Sequence, residues 1–192
     1  INFDEEHPVE VIMSATQGVG VDRVIDAVGF DAEAPHRGPA TKKAQKLKAR
    51  FQQELEEVAP GAKRDGELWQ PGNAPTQSMR WSLEAIAKAG PLSIIGVYPL
   101  SVQSFPIGQA MNKNLTINMG NCNHRRYLPK LIRIVRSGVV DPAVILTRQK
   151  SILSAIEAYE TFDRRQSGWL KVELVPPVLS AGGSSAEANK AV

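Results

Sequence analysis

Residues 90–126 read GPLSIIGVYPLSVQSFPIGQAMNKNLTINMGNCNHRR, and two apolar runs inside them, 92–97 and 115–119, decide the fold. Neither run carries a charge, and each gives way to glycine and small polar residues. That pattern predicts two strands of an α/β sheet. Strands of open parallel sheets are covered by helices on both faces, and their ligands bind in the crevice beyond the strands' carboxyl ends. The segments after Val97 and Met119 are therefore the first candidates for a site. In the second run Leu115, Ile117 and Met119 alternate with Thr116 and Asn118, which buries one face only. It reads as an edge strand, or as one that pairs with a partner.

Working outward, Met79, Leu83, Ile86 and Ala87 share a helical face, with Thr76 as a cap and Gly90-Pro91 as the stop. A helix leading into a strand in this way marks parallel βαβ units. Residues 21–28, VDRVIDAV, form a further strand closed by Gly29. Before it, Val9, Ile12, Met13 and Thr16 make a helix that follows the acidic, proline-marked start at 4–8 and stops at Gly18. Residues 1–3 read as the end of a short strand. Gly18-Val19-Gly20 lies after a helix and before a strand, the reverse of a dinucleotide fingerprint, and reads as a tight turn.

Residues 31–75 differ in texture and look inserted. Within them 41–58 is a helix with Leu47, Phe51, Leu55 and Val58 as its stripe, basic at its front from Lys42 to Arg50 and acidic at its back with Glu54, Glu56 and Glu57. The charges suit a solvated helix covering one side of the domain; a nucleic-acid role for the lysines is the weaker alternative. Residues 105–113 read as irregular. On the carboxyl side, Leu128, Leu131, Ile132 and Val135 predict a helix stopped by Gly138. Ile152, Ala155, Ile156, Tyr159 and Phe162 predict another, capped by Ser151, before a strand at 170–175. The tail, 176–192, is small and polar and is expected to be disordered.

Composition bounds the function. The 192 residues, 42% hydrophobic with a net charge of +3, suit one soluble core with a small attached piece. No run reaches membrane-spanning length and no secretory signal begins the chain, so the expectation is a cytoplasmic protein without a membrane partner. The mild positive charge favours an anionic cofactor and falls far short of a nucleic-acid footprint. The lone Cys122 excludes an internal disulfide, and His7, His36 and His124 lack ligand spacing, so no metal site is expected from this chain alone. Cys122 and His124 are the most suggestive polar pair, although a filler thiol and a structural imidazole account for them as well. Arg125 and Arg126 suit a phosphate or the start of a surface helix. No internal repeats occur. Ile1 in place of Met, inside an apolar trio, suggests a piece of a longer chain.

Taken together, VDRVIDAVG, GPLSIIGVYP, LTINMGNCNHRRYLPKLIRIVRSGVVDP and SAIEAYETFDRRQSGWLKVEL, in that order, resemble the C-terminal part of a zinc-type medium-chain dehydrogenase/reductase of the alcohol dehydrogenase superfamily. The inserted segment is similar to that of the glutathione-independent formaldehyde dehydrogenase-like branch. The resemblance implies an α/β fold: a partial Rossmann NAD(P)-binding domain over 1–148, holding later strands of a parallel doubly wound sheet and the helical insert at 31–75. It implies a helix and strand over 149–175 that return toward a missing GroES-like domain. Residues 1–3, 21–28, 92–97 and 115–119 would correspond to the end of the third strand and to the fourth, fifth and sixth in the order 3-2-1-4-5-6.

By the same resemblance, Ala27, Val28 and Gly29 line the dinucleotide, Gly96, Val97 and Tyr98 sit near the nicotinamide ribose, and the backbone of Met119, Gly120 and Asn121 lies near the carboxamide. Lys171 stands where relatives carry a basic residue on the pyrophosphate. The implied reaction is hydride transfer between a small alcohol or aldehyde and NAD or NADP, with zinc held by ligands outside this chain and with homo-oligomers as the working form. The glycine fingerprint, the acidic ribose reader and the zinc ligands of the family have no counterpart in this sequence. The isolated chain is therefore expected to be inactive, and the alternative is a short non-catalytic binding or assembly module. Loss of the strand that would flank 21–28 leaves a ladder edge at Val24 and Ile25 that invites association.

Overall fold

The strands that hold the first unit together are short and parallel. In the computed structural model, which describes residues 1–61 and 70–177, β1 (Val24–Asp26), β2 (Pro91–Ile94) and β3 (Thr116–Met119) form one sheet in the order β1-β2-β3. The register aligns Val24 with Leu92 and Ile117, and Asp26 with Ile94 and Met119. Each strand is shorter than its apolar run. At β1 the ladder is interrupted before Val24, although Val21 still bridges Ile86, and it ends where Asp26 turns back on the following amides. This unit comprises residues 1–61 and 70–123 of those described, and a second unit comprises 124–177.

The face that carries Val24, Leu92, Ile94 and Ile117 is the core. α3 (Gln77–Ala85) and α4 (Ile107–Asn112) cover it with Leu83, Ile86 and Ala110, and Tyr98, Phe105 and Leu115 pack around them. Leu83 and Leu92 are fully buried, each worth about 1.5–3 kcal/mol of transfer free energy. The helix at 107–112 replaces the irregular segment expected there. Among the described residues of this unit the opposite face, with Ile25, Ser93 and Asn118, has no helix over it, and Ile25 is 67% exposed. Within this unit α1 (Pro8–Ala15) packs on α3, and α2 (Thr41–Val58) is tied to α3 by side chains. β3 lies at the sheet's edge, as its alternation requires.

Residues 1–3 form no strand. Asn2 opens a turn whose carbonyl accepts from the Glu5 and Glu6 amides, and Phe3 and His7 set their rings against Trp81 at 5.9 and 6.2 Å. The 36–38 loop docks on this turn, where the His36 amide donates to Asp4 and holds that carboxyl below its ordinary pKa. α3 ends at Ala85, ahead of Gly90-Pro91, because the next residues bridge to Val21; Lys113 Nζ donates to the Glu84 and Ile86 carbonyls and closes its end. Burial lowers the pKa of this ammonium.

α2 matches its predicted span, but its buried face is not the expected stripe. Phe51, Ala44 and Glu54 are buried, while Leu47, Leu55 and Val58 are half-buried. Glu54 is no solvated charge. It accepts from Thr76 Oγ1 at 2.6 Å, Arg80 Nη2 at 3.1 Å and Arg50 Nε at 3.1 Å. The Thr76 hydroxyl is thereby committed to Glu54 and does not cap α3.

In the second unit, β4 (Arg148–Ser151) pairs in parallel with β5 (Val172–Val175), joined through α6 (Ala155–Asp163), and α5 (His124–Arg136) precedes them. β4, with the sequence RQKS, is visible only through its pairing. Ser151 Oγ accepts from the Leu153 amide and so starts a 3-10 turn that leads into α6. The predicted stripe of α6 is largely exposed; Ala158 is its buried residue, because among the described residues no apolar layer covers Ile156 or Tyr159. Residues 178–192, where most of the expected disordered tail falls, lie outside the described residues, as do 62–69 of the inserted segment.

Candidate functional site

The carboxyl ends of β1 and β2 are joined more tightly than packing alone requires. Asp26, the last residue of β1, is 3% exposed although it shares the core-facing register of Val24. Its carbonyl accepts from the Ile95 and Gly96 amides at 2.9 Å each. Its carboxylate Oδ1 accepts from the Val28 and Gly29 amides at 3.1 Å each, and Oδ2 accepts from the Tyr98 hydroxyl at 2.6 Å. Ser78 of α3 lies 3.3 Å from both the Tyr98 hydroxyl and the Gly29 carbonyl. Burial first, and then the bond to Asp26, raise the Tyr98 phenol pKa well above its ordinary value.

Glycine is obligatory where these two turns meet. A Cβ on Gly29, whose φ is +72°, would lie 2.4 Å from the Val97 carbonyl oxygen, and one on Gly96 would lie 2.2 Å from the Gly29 nitrogen. Both obstacles are backbone and cannot rotate away. The turns are thus in direct main-chain contact, sealed by the Phe30 amide donating to the Val97 carbonyl at 3.0 Å.

Around this join the apolar side chains face outward. Val28, Val97 and Met119 are 51%, 69% and 72% exposed, and Ala27, Gly120 and Asn121 are exposed as well. The three sets named from sequence, 27–29, 96–98 and 119–121, follow three adjacent parallel strands spaced about 4.8 Å apart. Tyr98 departs from its neighbours, since its hydroxyl is turned inward to Asp26. Lys171 belongs to the second unit, just ahead of β5, where it lines a cavity of about 160 Å³ with Ala158, Tyr159, Phe162, Val172 and Leu174. A cavity of about 240 Å³ beside α2, lined by Ala34, Ala44, Lys48, Phe51 and Asn73 among others, lies apart from the strand ends.

Asp26 and Ser78 escaped the sequence reading. The available signal was an acidic residue at a core-facing position inside VIDAV, which alternation alone treats as an exposed interruption. Cys122 and His124 are both exposed, and Arg125 and Arg126 lie in the first turn of α5. Among the described residues no three His, Cys, Asp or Glu side chains are grouped to hold a metal ion, and no helix is long and apolar enough to cross a membrane.

No protein-family model matches the chain. It is 28% identical over 177 residues to an uncharacterized zinc-type alcohol dehydrogenase-like protein of Bacillus subtilis, an alignment that covers 92% of this chain and 40% of that protein. It is 26% identical over 167 residues to a probable zinc-binding alcohol dehydrogenase of Mycobacterium tuberculosis, covering 87% of this chain and 32% of the relative. Among solved structures, an alcohol dehydrogenase from Thermus sp. ATN1 superposes with a TM-score of 0.56 at 24% identity, over 92% of this chain and 38% of that one. The chain is therefore similar to zinc-type alcohol dehydrogenase-like proteins along nearly its whole length. It spans about two fifths or less of theirs. Its α/β architecture with parallel sheets is the fold of the matching part.

Proposed function

We propose that the chain binds a nicotinamide dinucleotide across the carboxyl ends of β1, β2 and β3, as the cofactor-side portion of a zinc-type alcohol or aldehyde dehydrogenase. The observation that carries this reading is the main-chain contact of Gly29 with Gly96, flanked by exposed Val28, Val97 and Met119 beyond three parallel strands. Such a crevice is where open parallel sheets take ligands. The two glycines let the turns close on each other's main chain, and the three apolar side chains beyond them offer a flat ring a wall to lie against.

When bound, the dinucleotide supplies the hydride acceptor or donor. The residues of this chain orient it: the 27–29 and 96–98 turns fix its distance from the sheet, and the Met119–Asn121 backbone offers polar groups to an amide. On this reading zinc would be held by residues other than those described, among which no three His, Cys, Asp or Glu side chains are grouped. The parent reaction on this reading is hydride exchange with a small alcohol or aldehyde, in a cytoplasmic homo-oligomer, and the long α2 segment supports the formaldehyde dehydrogenase-like branch. A second reading, a non-catalytic assembly module, is favoured by the open edge of β1 beside exposed Ile25.

Titration of the 192-residue chain with NADH and NADPH, followed by nicotinamide fluorescence, tests the proposal. Saturable binding is expected. It should be weakened by Val97→Glu, whose side chain is already in solvent. A folded chain that gives no saturable signal with either nucleotide refutes the dinucleotide reading and leaves the assembly module.

A further inference from the structure

We propose that Asp26 is the positioning residue of the dinucleotide site, holding the 27–29 turn and the Tyr98 ring in the shape against which the cofactor binds. The inference rests on reading the strand ends as a dinucleotide site. Its own ground is an anomaly of burial. A carboxylate almost wholly removed from water is costly unless it is paired or fully hydrogen-bonded. No cation pairs with Asp26 among the described residues; neutral donors alone satisfy it, two amides at Oδ1 and one phenol at Oδ2.

Hydrogen bonds to an ionised acceptor are about twice as strong as neutral ones, so these donors are held in place more firmly than an ordinary turn holds its own. Through its carbonyl the same residue also fixes the Ile95 and Gly96 amides. One side chain and one peptide thus anchor five donors drawn from both sides of the crevice. Folding does not call for this arrangement. In its register Asp26 stands beside Ile94 and Met119, where a branched apolar residue would extend the core. The carboxylate is enclosed and each of its oxygens already holds a donor of this chain, so it does not face a ligand directly. Their effect on a ligand is transmitted through Val28, Gly29 and Tyr98.

The experiment combines amide hydrogen exchange by NMR with NADH titration of the wild-type chain, Asp26→Ala, Asp26→Asn and Tyr98→Phe, at a temperature where each is folded. Asp26→Ala is expected to speed exchange at Val28 and Gly29 at least about tenfold relative to Ile95 and Gly96, and to weaken NADH about tenfold, the scale of losing hydrogen bonds to a charged acceptor. Asp26→Asn should restore both to within about threefold, because its amide oxygen still accepts from both N–H groups and its NH₂ can donate to the Tyr98 oxygen. Tyr98→Phe, the arm that survives if Asp26→Ala fails to fold, should weaken NADH about threefold and leave the Val28 and Gly29 amides protected. Wild-type binding that Asp26→Ala leaves unchanged, or that Asp26→Asn loses as fully as Asp26→Ala, overturns the positioning role alone. A folded wild-type chain that binds no NADH overturns the dinucleotide reading and this role with it.

Discussion

Removing Arg80 should destabilise the first unit far more than removing Arg50, although both contact the same carboxylate. Glu54 is 3% exposed and sits in a closed ring: Thr76 Oγ1 donates to it at 2.6 Å, Arg80 Nη2 at 3.1 Å, and Arg80 Nε donates to Thr76 Oγ1 at 2.9 Å. The Arg80 side chain is 12% exposed and that of Arg50 is 49% exposed. Arg80→Ala takes from Glu54 its buried cation and leaves it Thr76 and the half-exposed Arg50; breaking a buried pair in this way costs about 3–5 kcal/mol. Arg50→Ala removes a solvent-screened i,i+4 pair worth about 0–1 kcal/mol. Replacing the pair together, as Glu54→Leu with Arg80→Met, removes both desolvation penalties and should fall within about 1–2 kcal/mol of wild type. Urea unfolding followed by tryptophan fluorescence, with Trp69 and Trp169 replaced by Phe so that Trp81 alone reports, reads all three. With a slope of about 1–3 kcal/mol/M, Arg80→Ala should lower the midpoint by at least about 1 M. Equal effects of the two arginine variants, or a double variant as unstable as Arg80→Ala, would refute the view that burial of Glu54 makes Arg80 indispensable.

Two further outcomes follow from the same geometry. The Tyr98 phenol pKa is raised in the folded state, so above about pH 10 the unfolded chain gives up a proton that the native chain keeps, and stability must fall as the pH rises. Tyr98→Phe should flatten that alkaline limb in urea midpoints measured from pH 8 to 11, and superposable limbs would exclude the buried phenol as its source. The open edge of β1 should make the chain associate with rising concentration, and Ile25→Lys should suppress the association in sedimentation velocity by placing a charge beside the unpaired ladder. A monomer at every concentration, with a sharp concentration-independent melt, would show that the edge is not sticky.

What the sequence disclosed tracks how local each cause is. α2 could be read from its own spacing over 41–58, β2 and β3 from charge-free apolar runs, and β1 from the run 21–28 closed by Gly29. The positions beyond their carboxyl ends followed from the rule for parallel sheets and from the family resemblance. α4 was not legible, because six residues that include Gly108 hold too few turns to show a period. β4 was not legible either, since RQKS offers no apolar face and exists as a strand only opposite Val172–Val175. Burial of Glu54 depends on Thr76 and Arg80, 22 and 26 residues away, and the inward turn of Tyr98 depends on Asp26 72 residues away. Such pairings leave no trace in the spacing of neighbours.

The sheet changes character within one pleat repeat, about 7 Å, and on the dinucleotide reading proposed above that change separates stability from recognition. At the level of Val24, Leu92 and Ile117 the core-facing side is apolar and packed against α3, and this level supplies folding free energy. Two residues further on, the same side presents Asp26, whose bonds to neutral donors order backbone and bury little apolar surface. Met119 at that level, and Val28 and Val97 beyond it, contribute little to folding because they remain more than half exposed. Substitution there can alter a ligand's fit with little effect on the fold. Gly29, Gly96 and Asp26 have no such freedom: a Cβ on either glycine would strike the facing main chain, and Asp26 holds four backbone amides at 2.9–3.1 Å, so replacing any of the three would disturb the backbone itself.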